Sequence, residues 1–370
     1  MASMAHNTRS LQNERMNWPL PLVGEGEVVQ GHMGRMAMWS GIKAKELRAI
    51  LLKAGGPFDR FSCDTENALW ALGRVCKLAD DAYLRQHTML PFVQALEDMS
   101  IDEQVTSDQA PHWSYEAWEQ LPQPKPALCP ECVSNQLRRY QYSVWRRVHQ
   151  LPGYARCLDH GVPIQIASNC KAFQLSPDTV LKRGLCAPHP NVREWSRYPA
   201  VETFNRVATS LLVSGRRWPL EAMNALTSNR CSDLGIAGFT LVRNRPSEWT
   251  KAHYPEVYAE EVEKIGLGYM PGKCLVQIAT SSFPASFLRE LFPSQNNPRN
   301  RRLLSISHIN SYETSQSRFS GVVAAIRLTL LYPTLEAMAE VLSASDQVYS
   351  LARKARALAR AKSVRRRVSG

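Results

Sequence analysis

Four residues of the chain have the types and the spacing of metal ligands. Cys129 and Cys132 form a C-x-x-C pair, and further along the chain Cys157 and His160 form a C-x-x-H pair. A tight turn at each pair can direct both ligand atoms to one ion, and four sulfur and nitrogen ligands are what tetrahedral zinc prefers. We therefore predict a structural zinc ion without an open position for water; the alternative is reduced cysteines without a metal.

The other cysteines fall into two groups. The chain has nine in all, and their clustering is more typical of metal binding than of disulfides. Four lie among apolar neighbours and are expected to be small core residues: Cys63, Cys76, Cys231 and Cys274. Cys170, Cys186 and His189 are candidates for a second metal site. That site lacks an evident fourth ligand, which a closed site needs.

No group of residues in the sequence has the pattern of a catalytic site. The phosphate-binding pattern G-x-x-x-x-G-K-[ST] is absent from the sequence, so ATP hydrolysis by that route is not expected. Glu260, Glu261 and Glu263 are too close along the chain to converge on paired metal ions, as a two-metal nuclease requires. We therefore do not expect an enzyme, and a metal-dependent nuclease is the most remote of the functions considered.

The elements that position the metal ligands are expected to be mainly α-helices. Residues 1–20 are predicted to be a flexible lead, and residues 21–104 an N-terminal helical domain with connections of helix-turn-helix type. Apolar residues from Val28 to Ala37 recur at helical spacing, and Gly41 follows as a C-terminal cap.

The rest of the chain divides by composition. Residues 105–127 are rich in proline and tryptophan and are predicted to be a linker, followed by a small zinc-binding module over residues 128–190. Residues 191–346 are expected to be a C-terminal helical region. Its segment 333–343 is similar to the first half of a helix-turn-helix, which would be the second in the chain. A basic helix and tail then occupy residues 347–370.

The charge of the chain indicates a nucleic-acid partner. The net charge is +12, and residues 347–370 contain eight basic residues and no acidic one. The candidate DNA-binding residues are Arg353, Arg356, Arg360, Arg365, Arg366 and Arg367. The first three lie on one helical face, where contact with DNA phosphates is better supported than base readout; the alternative is a solvated basic face.

These motifs resemble those of the TniQ family of target-selection proteins in Tn7-type transposition. The stretch from C-P-E-C to C-L-D-H, with Tyr140 or Tyr142 and Trp145 between the two pairs, is similar to the zinc module of TniQ and TnsD proteins. The segment E-G-E-V-V-Q-G-H-M-G-R-M-A-M-W-S resembles the opening helix of the family. Leu72 to Phe92 resembles the next family segment, so the resemblance covers roughly residues 20–165.

The resemblance implies an adaptor that links target DNA, or an RNA-guided CRISPR effector complex, to a AAA+ transposition ATPase. The alternative from another class is a stand-alone, zinc-containing DNA-binding transcriptional regulator. A cytoplasmic location without a membrane segment is expected, because no apolar run approaches the ~18 residues that a membrane helix needs. The chain could also form a homodimer.

Two further expectations concern the zinc-binding module: its second metal site and its aromatic residues. Family members often continue from the C-x-x-H pair into a further C-x-x-C pair, whereas here Cys170 is present and Phe173 stands in the place of its partner. Tyr140 and Trp145 are expected to cover the zinc as a small core, because a module of this size needs the metal and a few large side chains to be stable.

Overall fold

A computed structural model describes residues 21–43, 64–78, 82–93, 95–97, 125–214, 274–292 and 320–332. It also describes the shorter stretches 46–47, 49–51 and 218–219 and the single positions 223, 227, 230, 306 and 309. The predicted lead, almost all of the predicted linker and the basic tail lie outside these residues.

Helix is the main secondary structure of the described residues, as the sequence predicted. The α-helices are α1 (Val29–Ser40), α2 (Asp64–Val75), α3 (Ala82–His87), α4 (Leu90–Val93), α5 (Pro130–Tyr140), α6 (Pro177–Lys182), α7 (Val192–Trp195), α8 (Pro199–Ser214), α9 (Cys274–Ser282), α10 (Ala285–Leu291) and α11 (Ser320–Leu331). Two 3-10 helices span Arg147–Gln150 and Cys170–Gln174.

A small antiparallel sheet frames the predicted zinc-binding module. Its strands are β2 (Ala127–Leu128), β3 (Gln165–Ala167) and β4 (Cys186–Pro188), in the order β2-β3-β4. Ala127 pairs with Ile166, and Ile166 pairs in turn with Ala187. A second, parallel pair joins β1 (Leu96–Glu97) to β5 (Trp218–Pro219). The sheet brings the first ligand pair, which follows β2, close to the second pair, which precedes β3.

The opening helix α1 ends where the sequence predicted. Gly41 adopts a left-handed conformation with φ 66°, and its N–H donates to the carbonyl of Ala37. This conformation favours glycine, which has no Cβ to clash with the backbone. The capping interpretation of Gly41 is therefore confirmed.

Backbone pairing joins the segment before α1 to the zinc-binding module. The N–H of Val28 donates to the carbonyl of Trp145 over 2.8 Å, and the N–H of Arg147 donates to the carbonyl of Gly26 over 2.8 Å. Glu27 and Arg146 thus form an antiparallel bridge. Because these bonds fix the start of α1 against residues 145–147, the two predicted domains pack on each other directly.

The largest hydrophobic core crosses the other predicted boundary. Cys129, Cys132 and Cys157 belong to the same buried cluster as side chains of α4, α8, α9, α10 and α11. At its centre, the ring of Phe287 stacks on Phe283 at a centroid distance of 5.1 Å and meets Trp195 edge-on at 5.0 Å. The three cysteines of the predicted metal site are therefore part of the main core, and the domain division stays a prediction.

Helix α11 is buried on all sides. Residues 321–332 are all buried, and the guanidinium of Arg327 donates to the carbonyl of Ile309 over 2.9 Å. A helix that is apolar all round belongs to a protein interior or a membrane. Among the described residues, no helix is both long enough and apolar enough to span a bilayer.

Candidate metal centre

The first ligand pair lies at the N-terminus of α5. Cys129 is the N-cap residue, Pro130 occupies the first helical position, and the N–H of Cys132 donates to Sγ of Cys129 over 3.4 Å. Proline suits this position because its missing N–H would have no partner inside the helix. The N-terminal end of a helix carries partial positive charge, which favours the thiolate form of a cysteine placed there.

The second ligand pair lies in a tight turn between two extended stretches. The N–H of Gly161 donates to the carbonyl of Cys157 over 2.8 Å, and the N–H of Cys157 donates to the carbonyl of Val162 over 2.9 Å. Gly161 has φ 67°, a conformation that favours glycine. The turn therefore presents Cys157 and His160 on the same side of the chain, toward the start of α5.

The four predicted ligand atoms meet in one cluster. Nδ1 of His160 lies 3.7 Å from Sγ of Cys129, 3.3 Å from Sγ of Cys132 and 3.5 Å from Sγ of Cys157. The sulfurs of Cys132 and Cys157 are 3.8 Å apart, and all four atoms lie within 4.8 Å of one another. In a tetrahedral zinc site, metal–ligand distances of about 2.0–2.3 Å place the ligand atoms about 3.5–3.8 Å apart. The cluster could therefore hold one metal ion, and its dimensions fit a tetrahedral one.

The chemistry of the cluster also fits a cation. All three cysteines are free and buried. Hydrogen bonds with the sulfurs of Cys129 and Cys157 raise the pKa of Cys132, because neighbouring sulfurs must share protons when no cation balances their charge. A bound metal ion would stabilise all three thiolates together, which is why metal sites favour such a set of ligands.

Two further side chains contact the sulfurs. The guanidinium of Arg146 donates to Sγ of Cys132 over 3.2 Å and to Asp159 over 2.6 Å. Nε2 of the buried His149 lies 3.7 Å from Sγ of Cys132 and 3.9 Å from Sγ of Cys157. Arg146 can offset negative charge on the thiolates, and His149, whose pKa is lowered by burial, can donate a hydrogen bond as a neutral ring. The sequence did not identify these contacts, because neither residue stands at a recognisable ligand spacing.

His160 is held on its other side by α5. The side-chain amide of Asn135 lies 2.9 Å from Nε2 of His160, and the Asn135 oxygen accepts a hydrogen bond from Arg138. Groups that contact the second nitrogen of a metal-binding histidine fix the orientation and the tautomer of its ring. The helix that supplies Cys132 therefore also orients His160 toward the sulfurs.

The three residues of the candidate second site do not form a cluster like that of the first four. Cys170 is exposed in a 3-10 helix, Cys186 is half-buried in β4, and His189 is buried against the ring of Trp195 at 4.6 Å. In the described part of the chain, the one group of three or more such ligand atoms lying within 4.8 Å of each other is the cluster of Cys129, Cys132, Cys157 and His160. A second metal ion therefore gains no support from the arrangement of these three residues.

The two aromatic residues expected to cover the metal lie elsewhere. Trp145 is buried in a separate cluster, where its indole N–H donates to the carbonyl of Leu175 and its ring meets Phe173 edge-on at 5.3 Å. Tyr140 is 40 % exposed at the end of α5. The expectation was therefore wrong for Tyr140. The main core encloses the cluster instead, and it supplies more apolar surface than two side chains could.

The candidate DNA-binding residues lie outside the part of the chain that the structure describes, as does the predicted second helix-turn-helix. These residues are Arg353, Arg356, Arg360, Arg365, Arg366 and Arg367. Their role stays a prediction.

Comparison with known proteins identifies the family of the N-terminal part. The model of the TniQ family matches residues 19–164, close to the extent that the sequence resemblance indicated. No curated protein matches the chain. The match implies a role in target selection for Tn7-type transposition. The chain therefore carries a TniQ domain over residues 19–164, and all four clustered metal-ligand residues lie inside it.

Proposed function

We propose that the chain is a transposition target-selection adaptor that links target DNA or a guide complex to a AAA+ ATPase. The observation that carries this proposal is the TniQ domain over residues 19–164 with an intact four-ligand cluster inside it. A basic segment at residues 347–370 supports contact with nucleic acid. In this proposal the chain recruits other components and does not itself cut or join DNA.

Zinc is the metal that best fits the cluster. Three thiolates and one imidazole form a Cys3His set, which is typical of structural zinc sites. A zinc ion held there would cross-link α5 to the turn at Cys157 and add its binding free energy to the stability of the fold. The four protein ligands occupy every tetrahedral position, so Cys129, Cys132, Cys157 and His160 would have a structural role and not a catalytic one.

Because the cluster lies in the main core, the structural role of the metal would extend beyond the residues that bind it. Because Cys129 and Cys157 share their core with α8 and α11, the ion would support the folding of the C-terminal helices as well as the TniQ domain. Loss of the metal should therefore disturb partner binding wherever on the chain the partner contacts lie.

A binding experiment with the cognate partners tests the proposal. The full chain would be mixed with the AAA+ ATPase encoded in the same genetic element, with ATP and duplex DNA present, and complexes would be measured by size-exclusion chromatography. We expect a ternary complex, and its loss in Cys132→Ser. Cys186→Ser is the matched control, because Cys186 lies outside the cluster.

Two results would contradict the adaptor role. Site-specific DNA binding without affinity for the ATPase would favour the stand-alone regulator. Cleavage of DNA with magnesium or manganese, abolished by single carboxylate substitutions, would indicate a nuclease.

A further inference from the structure

A row of neighbouring aromatic and arginine side chains crosses from α1 to the end of α5. The guanidinium of Arg35 lies 6.0 Å from the ring centroid of Trp39 and 5.1 Å from that of Tyr142. The rings of Tyr142 and Tyr140 are 6.1 Å apart, and the guanidinium of Arg139 lies 5.0 Å from the ring of Tyr140. We call these five side chains the aromatic–arginine row.

Arg35, which lies between Trp39 and Tyr142 in the row, is held in a fixed position. Arg35 is buried and donates to both carboxylate oxygens of Glu27, over 3.0 and 2.5 Å, and to the carbonyl of Leu22 over 2.7 Å. The carboxylate of Glu27 also accepts the N–H of Gly24 over 2.8 Å. A guanidinium with this many hydrogen bonds cannot easily rotate, so it presents its face to the two flanking rings.

The two aromatic residues toward the ends of the row are open to solvent. Trp39 is 57 % exposed and Tyr140 is 40 % exposed, whereas large aromatic side chains usually bury most of their surface. Exposed apolar groups that lie together mark binding sites more often than isolated ones do. The row therefore offers planar faces that no described part of the chain covers fully.

The row borders a positively charged cleft. Tyr140, Tyr142 and Arg139 also line a cleft of about 900 Å³, which is large enough for several nucleotide-sized groups. Three arginines and one glutamate line it: Arg139, Arg146, Arg147 and Glu25. Arg147 is buried and Arg146 already pairs with Asp159, so the exposed Arg139 is the lining arginine best placed to meet an anion. The basic lining favours an anionic ligand, and the planar side chains favour a ligand with planar groups.

We propose that the aromatic–arginine row and the adjoining cleft bind single-stranded nucleic acid. Unpaired bases expose their faces, and stacking on aromatic side chains and arginine planes is the usual means of holding a single strand. The phosphates would lie along the exposed Arg139 in the cleft. A duplex hides its base faces inside the stack, so it would leave Trp39 and Tyr140 unused. An acidic protein segment would satisfy the arginines but not the rings.

Fluorescence polarisation with labelled oligonucleotides tests this site. The probes are oligothymidylate and oligouridylate of about 12 nucleotides, within the site sizes of single-strand binding folds. Binding of the full chain would be measured at low and raised salt, since raised salt suppresses the ionic contribution of the basic tail more than it suppresses stacking. We expect binding of a single strand at both salt concentrations. The tighter probe identifies RNA or DNA as the source of the ligand.

Variants of the row separate stacking from general charge. Trp39→Ala and Tyr140→Ala should each weaken binding by about 5- to 100-fold, because each removes a stacking face. Trp39→Phe and Tyr140→Phe keep a face and should stay near the affinity of the unchanged chain. Leu185→Ala is the control, because Leu185 is 37 % exposed and lies outside the cleft. An unchanged metal content and thermal midpoint would show that the variants are folded.

Three outcomes would overturn the proposal. One is an unchanged affinity in both alanine variants. Another is a duplex of the same length that competes as well as the single strand does. The third is displacement of the labelled oligonucleotide by polyglutamate as readily as by an unlabelled single strand. That result would assign the cleft to an acidic protein partner instead. This inference goes beyond the proposed link to the ATPase. Either hypothesis can be contradicted without the other, because oligonucleotide binding is measured without the ATPase.

Discussion

Gly34 lies directly against the backbone of Phe173. A Cβ atom added to Gly34 would stand 1.8 Å from the carbonyl oxygen of Phe173, and one added to Gly31, a turn earlier in α1, would stand 2.8 Å from Cβ of Trp145. Helix α1 therefore packs on the predicted zinc-binding module at two positions, Gly31 and Gly34, that have no side chain, and this contact joins the two predicted domains.

Gly34→Ala should destabilise the chain. Alanine has a higher helix propensity than glycine by about 1 kcal/mol, so helix formation alone predicts the opposite sign. The clash with the Phe173 backbone should exceed this gain and cost about 2 kcal/mol net, since backbone cannot move aside as a flexible side chain can. Thermal unfolding decides the sign. Met38→Ala, at an exposed position of the same helix, is the control and should change little.

The chain should bind about one zinc ion through the four-ligand cluster. Cys132→Ser should lower the metal content and the free energy of unfolding together, because metal binding and folding are coupled. Elemental analysis and thermal unfolding of the purified protein measure both. Cys186→Ser should leave the metal content at about one. A content of about two ions in the unchanged chain, falling by one in Cys186→Ser, would instead support the second site at Cys170, Cys186 and His189.

Arg35→Met should be strongly destabilising. It leaves the carboxylate of Glu27 buried at 1 % exposure without its cation, and removal of one partner of a buried pair costs about 3–5 kcal/mol. Adding Glu27→Gln to the same chain removes the uncompensated charge and should recover part of the loss. Denaturant unfolding of the two single variants and the double variant measures the coupling. Additive losses would show that the two side chains do not stabilise each other.

The stability of the chain should fall in mild acid through His87. Burial lowers the pKa of His87 from its ordinary value of 6.5 to about 4, and the ring donates from Nδ1 to the carbonyl of Glu27. Unfolded His87 takes up a proton below about pH 6.5, whereas the folded residue does so only near pH 4. Above pH 6.5 the protonation of His87 therefore does not reduce the free energy of unfolding. As the pH falls from 6.5 to 4, this free energy decreases by about 2–3 kcal/mol.

A non-titrating variant isolates this contribution. His87→Asn keeps an N–H near the position of Nδ1 but takes up no proton in this range. Since acid also releases metal from cysteine ligands, the quantity to compare is the difference between the two chains and not either curve alone. The difference should narrow between pH 7 and pH 4, and a constant difference would rule His87 out as the source.

The basic tail should contribute ionic affinity for DNA. Removing residues 347–370 takes away eight positive charges, so it should weaken binding to duplex DNA and flatten its dependence on salt. Titrations at several salt concentrations give the slope for the full and the shortened chain. Affinity for the ATPase should change much less, and equal loss of both affinities would place the ATPase contact in the tail.

The sequence could predict the metal-ligand cluster because ligand chemistry restricts residue type and spacing. Two pairs, at Cys129 and at Cys157, were enough to name all four residues, and Gly41 identified the end of α1 by its conformational freedom. The contacts of Arg146 and His149 with the sulfurs could not be predicted. They join residues 14 and 17 positions apart in the chain and leave no local pattern.

The fold was predictable to a similar degree. The predicted helical character of residues 191–346 is found in α8, α9, α10 and α11. The shared core was not predictable, because nothing in the sequence around Cys157 indicates that it packs with α8 and α11. The aromatic–arginine row was missed for the same reason, since its members come from α1 and from the end of α5.

The bridge between Glu27 and Arg146 also sets an order of events during synthesis. The ribosome makes Gly26 to Val28 first, and their partners emerge about 120 residues later. At about 5–20 residues per second, the segment waits about 6–24 seconds without its partner strand. Throughout that interval the glycine face of α1 has neither Trp145 nor Phe173 to pack on. Translation pauses after residue 40 would prolong this exposure, and pauses after residue 173 would not.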